Sequence, residues 1–196
     1  MDALILAGGE NKRLPVLKGF LEVNGKRIIE SNIELLSRIF DRVIISTDKP
    51  ELYFPFGVLM IGDIIKYRGP MIGILSALTV PGVSEIFVTA CDMPFINTAL
   101  VKYIVNRWSE KWDAAIPIFA KRPQPLLGIY SKKIVEDMEE VIKQGKRSLK
   151  EFLHKINVLY IEEEKVRSID VEGRSFVNIN TMEDFQKEIG GKICSV

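Results

Sequence analysis

Short apolar runs of strand length alternate along the chain with longer stretches whose apolar residues recur at helical spacing. Residues 3–7 form the first apolar run, and residues 28–39 follow with apolar side chains three and four positions apart. Residues 86–90 are almost wholly apolar, which is typical of a strand that is covered on both faces. This alternation predicts an α/β protein with a three-layer α/β/α, Rossmann-like architecture and a mostly parallel sheet.

The same two periodicities predict the remaining elements. Further strands are expected over residues 43–47, 58–61, 114–118, 126–130 and 158–161. Further helices are expected over residues 69–78, 98–108, 134–143, 149–154 and 182–189, the last capped by Thr181. Short extended pieces are expected over residues 20–23 and 176–179, and residues 162–165 are interpreted as a solvated charge run. Because the chain has no repeat and no long linker, residues 1–196 are expected to form one domain.

The first predicted strand opens directly into Gly8 and Gly9, and the polar loop that follows carries Arg13 and Lys18. Glycine lets the backbone approach a ligand closely, and the exposed N–H groups of such a turn bind anions. Lys18 has no acidic neighbour before Glu22, so its charge is expected to be free for a ligand. The segment therefore predicts a phosphate-holding loop at the carboxyl end of the first strand, where open α/β sheets bind ligands.

Two carboxylates follow other predicted strands. Asp92 comes directly after the strand at residues 86–90, and Asp63 follows the strand at residues 58–61. Mg²⁺ binds one or two carboxylates together with substrate phosphates, so Asp92 is the candidate metal ligand and Mg²⁺ the expected cofactor. Asp63 is expected to bind a sugar hydroxyl, a base N–H or the metal. A capping or turn aspartate is the alternative interpretation of each.

Two further segments carry groups that suit a ligand. Gly69, Pro70 and Gly73 suit a helix N-terminus that approaches a ligand, although close helix–sheet packing would explain them equally well. Gln124 lies between two prolines, and an amide held in that way can bind the polar edge of a ring.

The last third of the chain adds two more candidates. Lys146 and Arg147 precede a predicted helix and offer a second anion site, with an ordinary capping loop as the alternative. Asn178 and Asn180 occupy alternate positions of an extended piece, so both amides are expected on the same face.

Composition and charge restrict the kinds of molecule that the chain is expected to bind. The 27 basic and 26 acidic residues leave a net charge of +1, without the basic surplus that nucleic acids and anionic membranes attract. No apolar stretch reaches the length of a membrane span and no leader precedes the first strand, so a cytoplasmic location is expected. Cys91 and Cys194 have no metal-ligand spacing, and the lone His154 has no nucleophilic arrangement around it.

Taken in order, these motifs resemble the molybdenum cofactor guanylyltransferase family, often called the MobA family. The matching residues are Leu6-Ala7-Gly8-Gly9, Arg13, Lys18, Gly69-Pro70 with Gly73, Cys91-Asp92-Met93-Pro94, Gln124-Pro125-Leu126 and Asn178 with Asn180-Thr181. Enzymes of that family transfer GMP from GTP to molybdopterin that carries molybdenum, and pyrophosphate leaves. The resemblance implies a nucleotidyltransferase fold, with GTP and the molybdenum cofactor as substrates. Other cofactor-biosynthesis proteins and target molybdoenzymes are further expected partners, and nucleic acids and membranes are not.

The resemblance also implies roles for individual residues. The implied nucleotide-binding residues are Leu6, Ala7, Gly8, Gly9, Lys18, Asp63 and Asp92. Lys18, Arg13 and Asp92 are the implied catalytic residues, with Mg²⁺ on Asp92. The candidate acceptor-binding residues are Gln124, Arg147, Asn178 and Asn180.

The chain departs from the family pattern at three places. It has Leu14-Pro15 where the family has Met-Gly, Leu17 where the family has Asp, and Ser46 where the family has Asn. These departures border the expected nucleotide pocket and bear on base preference. Two alternatives therefore stay open: another nucleotidyltransferase, of the cytidylyl or sugar-nucleotide type, and a nucleotide-binding module without turnover.

Overall fold

The structure of the protein is a computed structural model that describes residues 1–8 and 17–189. The strands are β1 (Asp2–Leu6), β2 (Glu22–Val23), β3 (Lys26–Arg27), β4 (Val43–Ser46), β5 (Leu59–Ile61), β6 (Glu85–Ala90), β7 (Ala114–Phe119), β8 (Arg122–Pro123), β9 (Gly128–Ser131) and β10 (Val158–Ile161). The helices are α1 (Ile28–Ser37), α2 (Pro50–Tyr53), α3 (Pro70–Leu78), α4 (Thr98–Arg107), α5 (Val135–Lys143), α6 (Leu149–Phe152), α7 (Glu163–Arg167) and α8 (Met182–Ile189).

A mixed sheet runs through the middle of the fold in the order β10-β7-β9-β6-β1-β4-β5, with β8 paired to β7. Strands β6, β1, β4 and β5 pair in parallel, as do β10 and β7. Strand β9 is antiparallel to both of its neighbours. Helices cover both faces, so the predicted three-layer α/β/α class with a mostly parallel sheet is confirmed.

The register of the four parallel strands brings their carboxyl ends level. Leu6 lies opposite both Ser46 and Ala90, and Ser46 lies opposite Ile61. The next backbone N–H groups continue the ladder, because Ala7 donates to Ser46 and Cys91 donates to Leu6. Loops that follow the four strands therefore emerge at one edge of the sheet, which is the edge that the sequence predicted for ligands.

The two faces of the sheet bury separate apolar clusters. Leu4 points to one face and shares a buried cluster with Leu75 of α3. Ile5 points to the other face and clusters with Ile29 of α1 and Leu100 of α4. This alternation is what a strand covered on both sides requires. In the part of the chain that the structure describes, no helix has the length and apolar content of a membrane span.

Three expectations about elements were wrong. Residues 163–167 form α7 instead of a solvated charge run, because Val166 is fully buried while Glu163 and Arg167 pair on the outer face. Residues 126–127 belong to a turn that precedes β9, since Leu127 donates its N–H to Gln124. The extended piece expected from residue 176 begins one residue later, after a 3₁₀ turn at Arg174–Phe176, and joins no sheet.

Candidate active site

Two adjoining cavities open at the carboxyl edge of the parallel strands. The larger measures about 830 Å³ and the smaller about 250 Å³. Leu6, Gly8 and Pro70 line both of them, so the two cavities form one continuous cleft. A cleft with two compartments at this edge can hold two ligands, or two parts of one ligand, side by side.

Lys18, Asp92 and Asn180 meet in the smaller cavity. The Lys18 ammonium nitrogen lies 3.0 Å from Asp92 Oδ2 and 2.5 Å from Asn180 Oδ1. The side chains of Lys18 and Asp92 are 28% and 15% exposed, so water screens their attraction only partly. The expectation that the Lys18 charge would be free is therefore wrong. Its partner Asp92 lies 74 residues away in the sequence, and the parallel pairing of β1 with β6 brings it near.

Close packing fixes the turn that carries Lys18. A Cβ atom on Gly19 would lie 3.2 Å from Cys91 Cβ, so glycine is what allows this turn to approach the Asp92 loop. On the other side, the Phe20 ring packs edge-on against Tyr53, with ring centroids 5.4 Å apart. Tyr53 is fully buried and also lines the smaller cavity. The backbone under Lys18 is therefore held from both sides.

The extended piece that carries Asn178 and Asn180 is attached to the same loop. Both asparagines line the smaller cavity, on the one face that their alternation predicted. Ile179 between them points the other way into a buried cluster with Ile28. Its N–H donates to the Asp92 carbonyl at 2.9 Å, so this segment and the Asp92 loop keep a fixed spacing.

The larger cavity is lined by carboxylates on one side and by close helix packing on the other. Asp63 is exposed as a whole, but the partial desolvation of its carboxyl and then the nearby charge of Asp48 raise its pKa, while the charge of Arg68 lowers it. Gly73 lies so close to β1 and β4 that a Cβ atom there would be 2.6 Å from Leu6 Cδ2 and 2.8 Å from Ser46 Oγ. The Gly73 motif is thus explained by close helix–sheet packing, which in turn shapes the wall of this cavity.

Two predicted acceptor residues lie elsewhere. Gln124 is not among the described residues that line the cleft, and its side-chain nitrogen donates to the carbonyls of Phe119 and Arg122. Arg147 is exposed and stacks over the ring of Tyr67, 4.3 Å from its centroid. Because Tyr67 lines the larger cavity, Arg147 lies beside that cavity and not with Asn178 and Asn180 in the smaller one.

The other predicted site residues line one of the two cavities or fall outside the described residues. Leu6, Ala7, Gly8, Lys18 and Asp92 line the smaller cavity, and Asp63 lines the larger. Gly9, Arg13, Leu14 and Pro15 are outside the described residues. Leu17 lines the smaller cavity and Ser46 the larger, so both of these departures from the family pattern border the cleft.

Sequence reasoning missed Asp48, Tyr67 and Tyr53 as cleft residues. Asp48 follows the carboxyl end of β4, so the rule that found Asp63 and Asp92 would also have found it. Tyr67 and Tyr53 lie on a loop and a short helix, where no sequence pattern marks a cavity wall.

Cys91 is not a nucleophile in this site. Burial first, and then the adjacent charge of Asp92, raise the pKa of its thiol to about 12. The thiol therefore stays protonated at neutral pH, whereas nucleophilic attack needs the thiolate.

The fold and the site together define a nucleotidyltransferase: strand-end loops, a lysine–carboxylate pair and two joined cavities on a mostly parallel sheet. The family model described as the MobA-like NTP transferase domain matches residues 3–159. The chain therefore belongs to the MobA-like NTP transferase family, and the resemblance found in its motifs is confirmed.

Similar proteins cover nearly the whole chain. A probable molybdenum cofactor guanylyltransferase from Peptoclostridium acidaminophilum is 35% identical over 95% of this chain and 87% of its own length. A molybdenum cofactor guanylyltransferase from Desulfosudis oleivorans is 31% identical over 95% of both chains. The solved structure of molybdopterin-guanine dinucleotide biosynthesis protein A from Archaeoglobus fulgidus superimposes with a TM-score of 0.83, at 30% identity over 97% of both chains.

Replacing Asp63 with asparagine should stabilise the fold at neutral pH. The raised pKa means that folded Asp63 holds its proton more tightly than unfolded Asp63, whose ordinary pKa is 3.8. Stability therefore falls as the pH rises through this window, and ionised Asp63 is a cost above it. Urea unfolding from about pH 4 to about pH 7.5 should show that the gain of Asp63→Asn grows with pH.

Glu172→Gln is the control, because Glu172 also loses a carboxylate but does not line the described cleft. The gain of Asp63→Asn at neutral pH should exceed that of Glu172→Gln. An Asp63→Asn gain that is constant with pH, or a loss of stability at neutral pH, would contradict this interpretation.

Proposed function

We propose that the protein transfers GMP from GTP to molybdopterin that carries molybdenum, releasing pyrophosphate and forming the guanine dinucleotide cofactor. The Lys18–Asp92 pair carries this proposal, because it lies in a cleft with two compartments at the carboxyl edge of the sheet. The names of the similar proteins, which are molybdenum cofactor guanylyltransferases, support the choice of substrates. We also propose that residues 1–196 act as one domain in the cytoplasm, with cofactor-biosynthesis proteins and molybdoenzymes as partners.

The larger cavity suits the guanosine of GTP. Its volume of about 830 Å³ accommodates a nucleoside, and Asp63 and Asp48 line its wall. Guanine presents an N1–H and an exocyclic amine, and a carboxylate accepts hydrogen bonds from both. Arg147 and Tyr67 lie beside this cavity, so we propose that Arg147 acts near the nucleotide.

The smaller cavity suits the reacting phosphates and the acceptor. Gly8 connects the two cavities, and its backbone is proposed to hold the phosphates together with Leu6 and Ala7. Lys18 is proposed to neutralise the triphosphate. Asn178 and Asn180 are proposed to contact the acceptor from the far side of this cavity.

The reaction needs orientation and charge neutralisation. An oxygen of the acceptor's terminal phosphate attacks the α-phosphorus of GTP, a new P–O bond forms, and the bond to the bridging oxygen breaks as pyrophosphate leaves. Lys18 neutralises negative charge that builds up on the phosphates during this displacement. We propose that the transfer takes place in one step between the two substrates.

The carboxylate of Asp92 suits a magnesium ion that is held partly by the protein and partly by the phosphates of the nucleotide. The described residues hold no cluster of three or more His, Cys, Asp or Glu side chains, so Asp92 would bind the metal together with oxygens of the substrate. Mg²⁺ accepts such an arrangement, since it commonly takes one or two carboxylates plus substrate phosphates. When bound, the ion would polarise the phosphoryl oxygens.

Pyrophosphate release tests the proposed function. The expected result is release only when both GTP and molybdenum-loaded molybdopterin are present, with GTP used at least about tenfold better than CTP, ATP or UTP because unmatched bases leave cleft groups unpaired. Direct competition of each nucleotide against GTP measures this preference. Equal or better use of CTP would indicate a cytidylyltransferase, and nucleotide binding without any release would indicate a binding module.

Asp92→Asn should reduce the transfer rate at saturating Mg²⁺ by at least about a hundredfold, or about 2.7 kcal/mol in the barrier. The amide keeps the shape of the carboxylate and loses the charge that holds the metal. Steady-state pyrophosphate release measures the rate, circular dichroism checks the fold, and Glu172→Gln is the control. A rate within about threefold of wild type would remove Asp92 from the metal site.

A further inference from the structure

Lys18 has two hydrogen-bond partners of different charge. Its ammonium donates to the charged Asp92 carboxylate at 3.0 Å and to the neutral Asn180 carbonyl oxygen at 2.5 Å. An ammonium has three donors and no acceptor, so it can keep both partners at once. The proposed function assigns Asn180 to the acceptor, yet its nearest charged group is the lysine that is proposed to hold the nucleotide.

The two roles of Asp92 conflict when a metal binds. Asp92 pairs with Lys18 in this structure, and it is also the proposed metal ligand. A divalent cation held by the same carboxylate would repel the ammonium and weaken its pairing with Asp92. Lysine is a flexible side chain that needs a fixed partner to stay in one place. The side chain of Asn180 is neutral, so its hydrogen bond with Lys18 does not depend on the charge of Asp92.

Hydrogen bonds of the neighbouring backbone N–H groups hold the chain in place at Asn180. Its N–H and that of Thr181 both donate to the carboxylate of Asp184, at 3.0 and 2.9 Å. On the other side, the N–H of Ile179 donates to the Asp92 carbonyl, and the Ile179 side chain is fully buried. The backbone on both sides of Asn180 is therefore anchored, by bonds that do not involve the Asp92 carboxylate.

We propose that Asn180 is a positioning residue for Lys18. It retains the ammonium beside the phosphates when a bound cation engages the Asp92 carboxylate. This proposal rests on the proposed nucleotidyltransferase function. It differs from an acceptor-binding role because it predicts an effect on GTP binding in the absence of acceptor.

Calorimetric titration of the whole chain with GTP and Mg²⁺, without acceptor, tests the proposal. Asn180→Ala should weaken GTP binding about tenfold, the scale of a hydrogen bond to a charged group. Lys18→Ala should weaken it at least as much. The double variant should bind within about twofold of Lys18→Ala alone, since Asn180 acts through Lys18. Asn106→Ala, the same change at an exposed position of α4 that lines neither cavity, should leave GTP affinity within about twofold of wild type.

The same titrations in EDTA supply a second readout. Without a cation Asp92 still holds Lys18, so the defect of Asn180→Ala should shrink to under about twofold. A purely structural defect would persist under both conditions. Urea unfolding checks that each variant folds.

Three outcomes would overturn the proposal. Unchanged GTP affinity in Asn180→Ala would leave only the acceptor role for Asn180. If the double variant loses GTP affinity by the product of the two single losses, Asn180 acts independently of Lys18. A defect of equal size in EDTA would mean that Asn180 does not substitute for Asp92. If wild-type protein binds no nucleotide at all, the proposed function fails before the variants are compared, and this inference fails with it.

Discussion

The ion pair between Lys18 and Asp92 is the interaction on which the cleft depends. It joins the loop after β1 to the loop after β6, and Asn180 adds a third segment from the end of the chain. Because both charges are only partly exposed, removing either one would leave the other poorly compensated. A ligand that separates them must therefore supply a cation for Asp92 and an anion for Lys18 together. A nucleotide that arrives with its metal ion meets both requirements.

Asp63 is a second charged group in the cleft, and partial desolvation and a like charge dominate its surroundings instead of an ion pair. Partial desolvation of its carboxyl and the charge of Asp48 raise its pKa, so its ionised form is disfavoured in the absence of a ligand, and its exposure to water keeps this effect small. A base that donates N–H groups to Asp63 would offset this cost on binding. The cleft thus combines a charge pair that a ligand must separate with a carboxylate that a ligand must satisfy. Both features favour a charged nucleotide over an apolar ligand.

Sequence patterns predicted the layers of the fold and the edge of the sheet at which the cleft opens, because strand periodicity and strand-end polar residues are local features. Asp63 and Asp92 were found by this rule. The pairing of Lys18 with Asp92 was not, since the two residues are 74 positions apart in the sequence and the pairing of β1 with β6 brings them together. Gln124 was expected at the acceptor site, and its amide instead braces the loop before β9. Buried Val166 shows the same limit, because only the packing on β7 distinguishes α7 from a charged loop.

The most direct test of this account is a crystal structure with Mg²⁺ and a GTP analogue that cannot transfer its α-phosphate. The account predicts that the guanine lies in the larger cavity beside Asp63. It predicts that the Lys18 ammonium moves from the Asp92 carboxylate to a phosphate oxygen at about 2.8 Å while it keeps its bond to Asn180. A guanine in the smaller cavity, or a Lys18–Asp92 pair that stays intact beside a bound triphosphate, would contradict it.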